Sequence, residues 1–80
     1  MKTFHILRGA TGQSRPDVVR PAQDSILLLQ DAVYLSAPQK VRTYACLEDV
    51  RGRGVQTTAE VVDYRRIIQL ITEHDRVVVW

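Results

Sequence analysis

The run SILLLQ, residues 25–30, decides how the rest of the chain is read. Ile26, Leu27, Leu28 and Leu29 occupy both alternations of an extended backbone, so a strand here would bury both of its faces. Such a strand needs cover above and below, and helices are the usual cover for a parallel sheet. The run therefore predicts the central strand of an α/β domain. It is far too short to cross a bilayer, which takes about 20 apolar residues in a helix.

Upstream, residues 2–7 alternate, with Phe4 and Ile6 on one side and Thr3, His5 and Leu7 on the other, which reads as a first strand. RGATGQSRPD, residues 8–17, gathers Gly9, Gly12, Ser14 and Pro16 and predicts a loop. DVVR, residues 17–20, has room for one helical turn before Pro21, which lacks an amide donor and ends it. Downstream, DAVYLS, residues 31–36, predicts a short helix capped by Asp31, and APQK, residues 37–40, turns the chain back through Pro38.

Val41, Thr43 and Ala45 then alternate with Arg42, Tyr44 and Cys46, giving a third strand. Leu47 and Val50 lie at helical spacing, with Gly52 and Gly54 as helix-ending residues. Tyr64, Ile67, Ile68 and Ile71 fall at i, i+3, i+4 and i+7 and predict one apolar helix face. Two starts for that helix are open: a capping box of Thr57 with Glu60, or a brief strand EVVD with Asp63 as the cap. RVVVW, residues 76–80, is a closing β-branched strand. The alternation of strands and helical segments predicts one small α/β domain over residues 1–80, its sheet mainly parallel and flanked by helices.

Composition bounds the function. With 45% hydrophobic and 25% charged residues the 80-residue chain has the balance of a folded domain. A domain so small hides a modest share of its surface, so partner subunits are expected to complete its core. One cysteine cannot form an internal disulfide, and His5 and Arg8 interrupt the apolar stretch that a secretory signal would need, so a reducing cytoplasm is the expected location and no membrane partner is expected. The net charge of +2 comes with dispersed arginines at 8, 15, 20, 42, 51, 53, 65, 66 and 76 and few stacking aromatics. Direct nucleic-acid binding therefore has only weak support.

There is no phosphate-binding glycine loop, no dinucleotide fingerprint and no cluster with metal-ligand spacing, so no cofactor is expected. His5 and His74 read as structural or exposed, and no serine sits at a glycine-flanked elbow. Cys46 is the one candidate catalytic residue. It falls where a strand ends and a helix begins, where unpaired amides and the helix dipole favour a thiolate. Arg51 and Arg53 would add positive charge to the thiol environment, whereas Glu48 and Asp49 oppose ionisation. The alternative is a small apolar residue packed at the strand end. Asp31, Tyr34, Tyr64 and Trp80 are candidate interface residues, since aromatic side chains bury much area and keep a polar handle.

Four blocks, LLLQDAVY (27–34), YACLEDVRGRGV (44–55), VVDYRRIIQL (61–70) and the terminal VVVW, resemble the DsrH/TusB family in order and across most of the chain. The resemblance implies a DsrE/DsrF/DsrH-like α/β subunit of a sulfur relay. Such relays pass persulfide sulfur toward 2-thiolation of a tRNA wobble uridine or within dissimilatory sulfur metabolism. It implies DsrE/DsrF (TusD/TusC)-like partner subunits or a homo-oligomer, with sulfur donor and acceptor proteins besides. Some DsrH members carry a cysteine in the helix after the first strand, and SRPDVVRP, residues 14–21, has none. Related DsrE/TusD subunits place the sulfur-carrying cysteine at the end of the third strand, before a helix finishing in Arg-Gly-Val. Cys46 with Arg53, Gly54 and Val55 matches that pattern, although TusB-like subunits usually lack a cysteine there. By resemblance Cys46 is either a persulfide carrier or incidental to an assembly subunit.

Overall fold

Five short runs of alternating or uniformly apolar residues become strands, and their pairing fixes everything else. The computed structural model describes residues 1–9, 22–35 and 40–80. In chain order these hold β1 (Thr3–Leu7), β2 (Ser25–Leu28), a 3-10 helix (Gln30–Tyr34), β3 (Arg42–Cys46), α1 (Leu47–Arg53), β4 (Glu60–Val62), α2 (Tyr64–Glu73) and β5 (Arg76–Val79). The expected turn of helix at residues 17–20, most of the loop before it and the Pro38 turn lie outside the described residues.

The strands form one sheet in the order β4-β3-β2-β1-β5, with every pairing parallel. β2 is the middle strand, as its two-sided apolarity requires. Leu27 packs with Phe4, Ile6, Tyr44, Cys46 and Val62 beneath Ile67 and Leu70 of α2. Ile26 and Leu28 pack on the opposite face, with Leu7, Ala45 and the 3-10 residues Ala32 and Val33, against which Val50 of α1 also lies. The fold is thus an α/β sandwich around a parallel sheet.

Handedness explains why the two helices are on different faces. Right-handed crossovers that step steadily from β2 to β4 place their connections on one side. The crossover from β4 back past β1 to β5 reverses direction and must run on the other side. α1 and the 3-10 helix occupy the first face and α2 the second, as the two core clusters record.

Local chemistry sets the ends of these elements. Asp63 caps α2 by accepting the Arg66 amide at 2.9 Å, so the second of the two starts is the real one. Glu60 belongs to β4, and the Thr57 hydroxyl accepts the Ala59 amide at 3.1 Å in a turn of its own. Gly54 closes α1 at φ +60°, its amide donating to Arg51 and that of Val55 to Val50. Gly52 lies within α1 and ends nothing.

Two expectations are corrected. Asp31 does not cap the 3-10 helix: Leu29 holds the cap position without a side-chain bond, and the Asp31 carboxylate accepts Arg53 Nε at 3.1 Å. The face of α2 is also rotated from its expected place. Ile67 and Leu70 are buried, while Tyr64, Ile68 and Ile71 are exposed, Ile68 to 63%. Leu70, left out of the expected stripe, takes the position over the sheet, and the rest of the stripe overhangs it.

Trp80 ties the β5 edge to β1. Its amide donates to the Ile6 carbonyl at 2.8 Å, and its indole N–H to His5 Nδ1 at 3.1 Å. An indole nitrogen only donates, so Nδ1 is the acceptor and His5 carries its proton on Nε2. That proton goes to the buried Asp24 carboxylate at 3.0 Å, which also accepts the Thr3 amide at 3.2 Å. His5 is structural, as its sequence setting suggested.

Candidate functional site

Cys46 ends β3 and is the N-cap residue of α1, with an extended backbone at φ −69° and ψ 124°. Its neighbour across the sheet is Val62, the last residue of β4. After Cys46 the chain turns onto the α1 face, and after Val62 it turns through Asp63 onto the α2 face. Adjacent strands whose connections leave in opposite directions make a crevice at their carboxyl ends, where open α/β sheets bind ligands. Cys46 stands at that crevice.

Its side chain points to the α2 side and is fully buried, at 0% exposure. Tyr64, the first residue of α2, lies beside it with more than half of its own surface exposed. The Tyr64 phenol is raised above its ordinary value of 10.0. The first cause is the repulsion that a Cys46 thiolate exerts on a phenolate, and the second is the hydrogen bond between the two side chains. Burial adds to the rise, and so do the carboxylates of Asp49 and Glu48. A phenol held protonated in this way remains a hydrogen-bond donor toward sulfur.

The predicted cations do not gather on the thiol. The Arg53 guanidinium is held by Asp31 at 3.1 Å and by Asp49 at 3.2 Å, and Arg51 is exposed on α1. Asp49 was not singled out in the sequence as more than a charge opposing the thiolate. Its second oxygen accepts the Gln30 amide at 2.8 Å, and Gln30 sits in the left-handed region at φ +53°. One carboxylate thus ties α1 to the 3-10 helix. The i, i+4 spacing of Asp49 and Arg53 was the available signal.

Of the remaining candidates, Tyr34 is 56% exposed on the 3-10 helix and Trp80 lies at the opposite edge of the sheet. The structure brings Cys46 together with Tyr64, and Asp31 with Arg53, but does not gather all of them at one place. Among the described residues no three His, Cys, Asp or Glu side chains converge as a metal site would require.

A family model described as DsrH like protein matches residues 17–77. The chain belongs to the DsrH-like family. The match takes in β2 through α2 and the start of β5, including both strands that frame Cys46. No curated protein matches the chain. Membership in the DsrH-like family suggests a subunit of a sulfur relay, a class whose members typically work in a complex with other subunits. No helix among the described residues is long and apolar enough to cross a membrane.

Proposed function

We propose that this chain, as a single domain over residues 1–80, is a cytoplasmic sulfur-relay subunit in which Cys46 carries persulfide sulfur. The observation that carries this reading is the placement of Cys46 at the β3–β4 crevice, where the connections diverge onto opposite faces. The Cys46 thiolate attacks the outer sulfur of a donor persulfide, the donor's S–S bond breaks, and the donor leaves as a thiolate. Cys46 then bears the persulfide, and an acceptor thiolate takes the outer sulfur by the same exchange. No electrons are gained or lost overall, and no cofactor takes part.

Burial sets a condition on this chemistry. The sulfur has no solvent-exposed surface, so side chains around Cys46 must move aside when a donor docks and close again over the persulfide. DsrE/DsrF (TusD/TusC)-like subunits or further copies of the chain supply the docking frame. The sulfur goes toward tRNA wobble-uridine 2-thiolation or dissimilatory sulfur metabolism, and any tRNA contact is indirect.

A second reading is an assembly subunit in which Cys46 is core. The full burial of the thiol among Phe4, Leu27 and Tyr44 favours it, as do the exposed apolar side chains of α2. Intact-protein mass spectrometry after incubation with a cysteine desulfurase and cysteine separates the two readings. The carrier reading expects one added sulfur on the parent chain and none on Cys46→Ser. No addition, with the same desulfurase loading a known acceptor, leaves the assembly role.

A further inference from the structure

At the end of the sheet opposite Cys46, a cleft of about 510 Å³ opens between the amino ends of β2 and β3 and the last turn of α2. A cleft of this size is in the range that holds a small ligand. Ser25 and Arg42 line it from the strands, Asp24 from just before β2, Glu73 and His74 from the end of α2, and Lys2 and Lys40 stand at its rim.

The charges in the cleft do not cancel one another. Glu73 is paired with Arg66 at 3.0 Å, whereas the buried Asp24 carboxylate, bonded to a neutral His5 at 3.0 Å and to the Thr3 amide at 3.2 Å, keeps its single negative charge against the three cations Lys2, Lys40 and Arg42. Lys2, Lys40 and Arg42 form no ion pair among the described residues. The C-terminal end of α2 would repel an anion, but its last carbonyls are occupied. That of Leu70 accepts His74 Nδ1–H at 2.6 Å, that of Ile71 the His74 amide, and that of Gln69 the Thr72 hydroxyl. His74 Nε2 then accepts the Ser25 hydroxyl at 3.1 Å, giving the cleft a polar wall.

We propose that this cleft is a binding site for a small phosphate-class anion carrying two or more negative charges. Arg42 would engage two oxygens through its planar fork, and Lys2 and Lys40 would add point charges at the rim. The ligand is either a free pyrophosphate or the diphosphate of a nucleotide. The site is separate from the Cys46 crevice and does not rest on the sulfur-relay reading.

The test is a titration of the isotope-labelled chain with inorganic pyrophosphate, and in a second arm with ADP, followed by amide NMR. The expected result is a saturable shift with one midpoint at Lys2, Ser25, Arg42 and His74. It should weaken about tenfold or more in Lys40→Gln/Arg42→Gln, whose amide spectrum reports that the fold is intact, and persist in Arg65→Gln/Arg76→Gln. Tighter binding of ADP than of pyrophosphate assigns the nucleotide, and equal binding the free anion. Shifts spread equally over Arg51, Arg65 and Arg76, or a midpoint unchanged by the cleft variant, would overturn the proposal.

Discussion

Cys46 and Tyr64 form the contact on which the candidate site turns. The raised phenol of Tyr64 gives it a solution signature. Replacing Cys46 with Ala removes the first two causes of the rise, so the phenol should titrate closer to its ordinary value of 10.0, read from the Tyr64 ring carbon by NMR. An unchanged titration would mean that the two side chains do not meet. The linkage sign follows directly. The folded state holds this proton more tightly than the unfolded chain, so the contribution to stability is complete below pH 10 and is lost as pH rises further. In the sequence Tyr64 was a candidate interface aromatic. Its place beside the thiol depends on Val62 pairing with Cys46, a contact between residues distant in the chain.

At the scale of the element, the two helices end by different means, and their ends respond differently to substitution. Asp63→Ala removes the bond to the Arg66 amide and should cost about 0.5–2 kcal/mol of unfolding free energy in urea. Gly54→Ala should cost about 1 kcal/mol, because the backbone is left-handed there. An added Cβ at Gly54 meets no atom within 4 Å, so that cost is conformational and not steric. If Gly54→Ala were neutral, the left-handed end of α1 would be disproved. Both residues were among the candidates in the sequence because caps are local chemistry, but the choice of Asp63 over Thr57 and of Gly54 over Gly52 came from the fold. Asp31 was misassigned by the same rule, since the distant Arg53 guanidinium competes for its carboxylate and an uncapped 3-10 turn forms instead.

Across the whole molecule, the sheet buries its centre and leaves one side of α2 bare, with Tyr64, Ile68 and Ile71 exposed. On the same face of the sheet, Val77 and Val79 are exposed where they pair with Phe4 and Ile6. Membership in a family of complex-forming subunits fits a partner covering this surface. Ile68→Asp should therefore abolish association seen by sedimentation velocity, while changing the unfolding free energy of the monomer by no more than about 0.5 kcal/mol. A parent chain that sediments as a monomer alone and with its partner subunits would sink this idea. An equal loss of stability and association would point to a core role for Ile68.

The sequence by itself determined four of the strands, the mainly parallel α/β class and the central position of residues 25–28, because alternation is read over a few residues; it offered Asp63 and Gly54 as caps beside Thr57 and Gly52, and the structure chose between them. It also carried the family resemblance and the position of Cys46 at a strand-to-helix junction. Only the tertiary structure decided which side of α2 faces the sheet, where the Arg53 charge goes, and that Cys46 is fully buried with its core neighbours at the start of α2. Those outcomes depend on strand order and crossover hand, which bring distant residues together and which no local pattern encodes.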